Sequence, residues 1–185
     1  IYGKLGNLIM TKEGINVLMT NLTGKVPPIL QRLDYIRFNG EAAGYLHDLT
    51  LTGLFYTGAG MVKTDVMMSI DEQSMSRTYS GSVASADLDL GKLLNQEKKF
   101  GKVDFNVELK GFNYKNRYPE SYIKGIISSF EYSQYQYENI MLDGVYKDGG
   151  FNGRLSMDDA NGSVQIDGNF NVAKTIPDFN RKASV

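Results

Sequence analysis

The chain has 185 residues, with 20 Lys and Arg against 21 Asp and Glu, a net charge of −1 and no cysteine. That balance gives no overall pull toward nucleic acid or an anionic surface. The missing cysteines exclude disulfides, thiolate catalysis and cysteine-bound zinc. The length suits one domain, read here as a single β-rich segment over residues 1–185.

The start, Ile1-Tyr2-Gly3-Lys4-Leu5, falls inside a strand-like pattern and is no signal peptide, so the chain reads as a piece of a longer protein. No apolar run approaches the roughly 20 residues of a membrane-spanning helix. Leu5 to Met10 and Ile15 to Leu22 read as strands around a Thr11-Lys12-Glu13-Gly14 hairpin turn. Ile29, Leu30 and Leu33 then take helical spacing behind Pro27-Pro28, which predicts a first short helix. From Tyr35 to Gly44 the period returns to two, with Ile36, Phe38, Gly40 and Ala42 in phase. Leu49, Leu51, Gly53 and Phe55 continue it, as do Val62, Val66, Met68 and Ile70 beyond the turn Thr57-Gly58-Ala59-Gly60.

Tyr79, Gly81 and Val83 predict another strand. Leu90, Leu93 and Leu94 then share a helical face with an aspartate, Asp87 or Asp89, available as N-cap. Val103, Phe105, Val107 and Leu109 alternate cleanly with polar Asp104, Asn106, Glu108 and Lys110, so one side of that strand is dry and the other wet. Tyr122 to Tyr132 is also a strand, but Ile123 and Ile127 conflict in phase with Ile126 and Phe130. The stretch from Gln136 to Ala173 predicts three strands. Ile140 and Leu142 lie on the first, Phe151, Leu155 and Met157 on the second, and Val164, Ile166, Phe170 and Val172 on the third. Lys147-Asp148-Gly149-Gly150 and Asp159-Ala160-Asn161-Gly162 join them as hairpins, the latter through positive φ at Asn-Gly. Gly144, Gly153 and Gly168 fall in phase with the apolar residues, which points to curvature or close approach.

The expected fold class is therefore all-β: a curled, mostly antiparallel meander of about eleven strands with an apolar groove and two short helices. At roughly 4.8 Å per strand such a sheet is roughly 50 Å long, and its dry face needs a partner. The helices are expected to cover an edge or mouth of that face. Cut sheet edges should self-associate or accept an added strand.

Polar clusters have plainer readings than chemistry. Asp158, Asp159, Asn161 and Asp167 lack the spacing of a calcium loop and suit a hairpin turn. Asp87 and Asp89 suit a helix N-cap better than an acid/base pair. One histidine, His47, makes no histidine-rich metal site. Neither a metal nor a cofactor is expected, and the chain is not read as an enzyme. Phe130, Tyr132, Tyr135 and Tyr137 could stack on sugar, which leaves a carbohydrate-binding or adhesin-like β-sandwich as the alternative.

Several segments in order, Gly81-Ser82-Val83, Leu90-Gly91-Lys92-Leu93-Leu94, Phe100-Gly101-Lys102-Val103, Lys124-Gly125-Ile126, Tyr137-Glu138-Asn139-Ile140, Leu142-Asp143-Gly144, Phe151-Asn152-Gly153, Asp158-Asp159-Ala160-Asn161-Gly162 and Ile176-Pro177-Asp178-Phe179, resemble the TamB-like translocation and assembly proteins of the AsmA-like superfamily. The resemblance implies a segment of a taco-like β-sheet with a greasy groove. It further implies a periplasmic location, with the parent protein anchored in the inner membrane, and an Omp85-type outer-membrane barrel as partner. The implied role lies in phospholipid transport and outer-membrane protein assembly or secretion, with phospholipid acyl chains as ligand and no nucleic acid. By alternation, the groove lining is expected to be Val103, Phe105, Val107, Leu109, Ile140, Leu142, Leu155, Val164, Ile166, Phe170 and Val172.

Overall fold

The computed structural model describes residues 2–3, 7–23, 26–45, 47–71, 73–74, 76–113, 120–148 and 150–171. The described elements are β1 (Tyr2–Gly3), β2 (Leu8–Thr11), α1 (Lys12–Thr23), a 3-10 turn (Leu30–Arg32), β3 (Tyr35–Tyr45), β4 (Asp48–Thr57), β5 (Gly60–Asp71) and β6 (Ser76–Asp89). They continue as α2 (Leu90–Leu94), β7 (Phe100–Asn113), β8 (Glu120–Tyr132), β9 (Tyr135–Lys147), β10 (Gly150–Asp159) and β11 (Gly162–Asn171). From β3 onward each strand pairs with the next, antiparallel, and β1 and β2 share the outer side of β3. The result is an open meander. Short hairpin turns dictate most of this order, because a turn of a few residues can only return the chain alongside itself, whereas β6 and β7 are joined through α2.

Cross-strand register puts one continuous apolar set on one face. Phe38 opposes Phe55, which opposes Val62; Val83 opposes Val107; Leu142 opposes Leu155, which opposes Ile166. The conflicting phase in β8 has a simple cause. Phe105 opposes Ile127 while Asp104 opposes Ser129, so Ser128 is an extra residue, and this bulge lets Ile127 and Phe130 both join the apolar face while Ile126 points away. A second bulge, between Ser85 and Leu88, does the same in β6, with Asp87 at φ 56°.

The first predicted hairpin is wrong. Residues 12–23 form α1, with Thr11 Oγ1 accepting the Gly14 N–H at 3.4 Å as an N-cap and Glu13 in the first turn. Ile15 and Met19, one helical turn apart, pack into the core, whereas Val17 is exposed, so the burial follows 3.6 and not two. Leu5 and the side chain of Leu22 lie outside the described residues. The predicted helix near Pro28 is only a 3-10 turn, Leu30 and Gln31 both donating to the Pro27 carbonyl. α2 forms where expected, with the Asp89 carboxylate accepting the Lys92 N–H at 2.8 Å. The 160–161 hairpin also differs from expectation: neither Asn161 nor Gly162 has positive φ, and the Asp159 carboxylate holds the turn by accepting both their N–H groups.

These covers gather at one end of the strands. Ile15 of α1, Leu33 beside the 3-10 turn and Leu93 of α2 pack with Ile36, Ala59, Leu88 and Val103 into the buried cluster. Arg32 donates to the Leu93 carbonyl and ties the two covers together. Two glycine sites make the sheet close-packed within itself. A Cβ on Gly53 would meet the Asn39 carbonyl at 2.5 Å and the Phe38 ring at 2.8 Å; one on Gly144 would meet the Asn152 carbonyl and the Phe151 ring. Aromatic rings thus lie across glycines on the neighbouring strand and cover backbone that would otherwise be bare.

Candidate functional site

The candidate site is the apolar face, and it has two unlike halves. At the helix-covered end Ile36, Phe38, Val103 and Ile140 are all under 9% exposed. Toward the opposite hairpins Leu51, Val66, Met68, Leu109, Ile123 and Tyr146 are in phase with them but remain half-buried. No described helix or second layer covers this half.

The eleven residues expected to line a groove divide accordingly. Val103 and Ile140 are buried at the covered end, so they belong to the core. Phe105, Val107, Leu109, Leu142, Leu155 and Ile166 are half-buried and share one face through the register. Val164, at the β10–β11 turn, is 44% exposed. Phe170 pairs with Phe151 through its backbone, and Val172 lies outside the described residues. Leu49 and Leu51 of β4 and Val66 and Met68 of β5, in phase by alternation, add to the same face.

The opposite face is mixed, with Met67, Phe112, Ile126 and Met141 exposed on it, and it is laced with charge. Glu108, Lys124, Asp143, Arg154 and Asp167 stand in consecutive register across β7 to β11, alternating in sign. Lys124 lies 3.2 Å from Asp143 and Arg154 3.0 Å from Asp167. The Tyr122 hydroxyl, donating at 2.7 Å, and Lys124 hold the Asp143 carboxyl below the ordinary carboxylate range. Arg154 and Gln165 do the same for Asp167. Hollows of about 490 and 520 Å³ open on this face, one over Met67, Thr78 and Phe112, the other over Asn106, Ile126 and Met141. They are the gaps between long side chains standing on a single layer.

No protein-family model, curated protein or solved structure matches this chain. Among the described residues no cluster of three or more His, Asp or Glu is arranged to hold a metal. Asp159 is committed to its turn, Asp167 to Arg154, and Asp89 to capping α2. Asp87, which is not the cap, pairs with Lys102 at 3.0 Å. The aromatic cluster packs on itself: Tyr135 meets Tyr137 edge-on at 4.5 Å, and Phe100, Phe130 and Tyr132 lie 5.3–6.2 Å apart. The Tyr135 hydroxyl donates to Asp159 and accepts from Asn161.

Proposed function

We propose that this chain shields lipid acyl chains on its apolar sheet face, as a non-enzymatic segment of a cell-envelope protein. The observation that carries the reading is that the same apolar set runs across β3 to β11 yet, among the described residues, is covered at only one end. An uncovered apolar surface of this extent is unfavourable in water and is stabilised by hydrocarbon at roughly 25 cal/mol per Å² removed from solvent. The resemblance to TamB-like proteins supplies the setting: periplasm, an inner-membrane anchor outside this stretch, phospholipid as cargo and an Omp85-type barrel as partner. Strand β11, paired only with β10 among the described residues, offers an edge for strand addition by that partner or a second copy. The acyl-chain reading is preferred to the carbohydrate one because Tyr135 and Tyr137 pack on each other and Tyr132 on Phe100 and Phe130.

Purified protein should release phospholipid on organic extraction and carry it in native mass spectra. Leu142→Arg, which sets a charge on the apolar face, should abolish the adduct. Asp143 is a poor outward control because it ties Lys124 to Tyr122. Met141, 55% exposed on the other face of the same strand, is a better one, and Met141→Arg should retain lipid. A folded protein that never carries lipid would contradict the proposal.

A further inference from the structure

One cation interrupts the apolar face at its uncovered end. Arg77 pairs by register with Ile70 on β5 and Asn113 on β7, and stands two residues from Tyr79, so it shares the face of Met68, Tyr79 and Leu109. Among the described strand residues in phase with this face, the charged ones are Arg77 and Asp159. Asp159 lies at the covered end and is saturated by Tyr135, Asn161 and Gly162. Arg77 is exposed and forms no ion pair with a described residue. Neutral polar groups lie close by in the register: Asn113 opposite it, and farther in the Tyr79 hydroxyl bonded to Ser121, which is 8% exposed. Beyond them the face is Val66, Leu109 and Ile123.

We infer that the ligand of this face is an anionic amphiphile whose phosphate headgroup docks on Arg77 while its hydrocarbon chain lies over Val66, Leu109 and Ile123. The inference rests on the acyl-chain reading above and adds the headgroup and the orientation. A hydrocarbon chain laid beside Arg77 strips water from the guanidinium, which is unfavourable unless an anion arrives with it. The planar guanidinium fork matches phosphate oxygens in a way that an ammonium or an amide does not. A neutral amphiphile of the same chain length brings no such anion.

The test compares lysophosphatidic acid with monoacylglycerol of the same chain, each displacing a fluorescent fatty-acid reporter, and includes glycerol 3-phosphate as headgroup alone. Lysophosphatidic acid should bind roughly 1.5- to fivefold tighter than monoacylglycerol at low salt, the range expected of one exposed charge pair, and the gap should narrow in high salt. Arg77→Gln should erase the gap, with monoacylglycerol binding no weaker than in the unaltered protein, and Arg77→Lys should keep part of it. Equal binding of the two amphiphiles by the unaltered protein, or a preference that survives Arg77→Gln, overturns the headgroup inference and leaves the acyl-chain reading standing. Binding of glycerol 3-phosphate as tight as that of the lysolipid also overturns it, since the chain would then contribute nothing. Failure of both amphiphiles to bind folded protein overturns the acyl-chain reading and this inference with it.

Discussion

The two ends of the apolar face are built from the same kinds of residue and have different fates. At one end Ile36 and Val103 are buried because α1, the 3-10 turn and α2 supply Ile15, Leu33 and Leu93 against them. At the other, Leu51, Val66 and Leu109 stand on the same strands in the same phase, half-exposed. Alternation specifies which face is dry; only tertiary contacts decide whether that dryness is satisfied within the chain. The covered end holds the fold together, whereas at the other end no described element completes the packing.

The largest expected effect breaks the covered end. Leu93→Ala or Ile15→Ala should cost about 2–5 kcal/mol, the range for truncating a buried aliphatic side chain, whereas Leu109→Ala at the uncovered end should cost well under half as much. Chemical denaturation of the three variants checks this, and equal losses would erase the distinction between the ends. Next in size is the close packing within the sheet. Gly153→Ala sets a Cβ 2.3 Å from the Asp143 carbonyl oxygen and 2.5 Å from the Gly144 Cα, where backbone has to move, and should cost about 1–3 kcal/mol. Gly162→Ala meets nothing within 4 Å and should be near neutral in the same assay.

Much of this was legible in the sequence, and the exceptions have physical causes. Strands β3 to β5 were readable because each hairpin preserves a strict period of two, as from Phe38 to Phe55 to Val62. The phase of β8 was not, because Ser128 is a bulge residue and one inserted residue reverses every position after it. Helix α1 was missed because Ile15, Val17 and Met19 satisfy alternation as well as Ile15 and Met19 satisfy a helix. The Thr11 cap with Glu13 in the first turn was the signal that separates the two. As for the candidate site, alternation gave the shared face of Phe105, Leu142 and Leu155. It gave no sign that Val103 and Ile140 lie under cover, since that depends on where the helices fold back.

The smallest effects belong to the charge-laced face. Breaking one rung of its charge ladder with Lys124→Ala should lower the melting temperature only slightly, and less in high salt, because the pair is solvent-exposed. Asp143 and Asp167 are both held below the ordinary carboxylate value. Their contribution is therefore present above the unfolded-state value near ~3.9 and is lost as pH falls through the lower folded values. A pH series of melting temperatures should show that loss in the unaltered protein, and less of it in Asp143→Asn. This face should tolerate such changes without any loss of lipid.

Site-specific photo-crosslinking in cells tests the central claim most directly, with the reactive side chain at Phe105 or Leu142 on the apolar face and at Asn106 or Met141 on the opposite one. The account predicts lipid adducts at the first pair and none at the second, in protein that remains folded. Equal labelling of the two faces, or labelling confined to the opposite face, would contradict it.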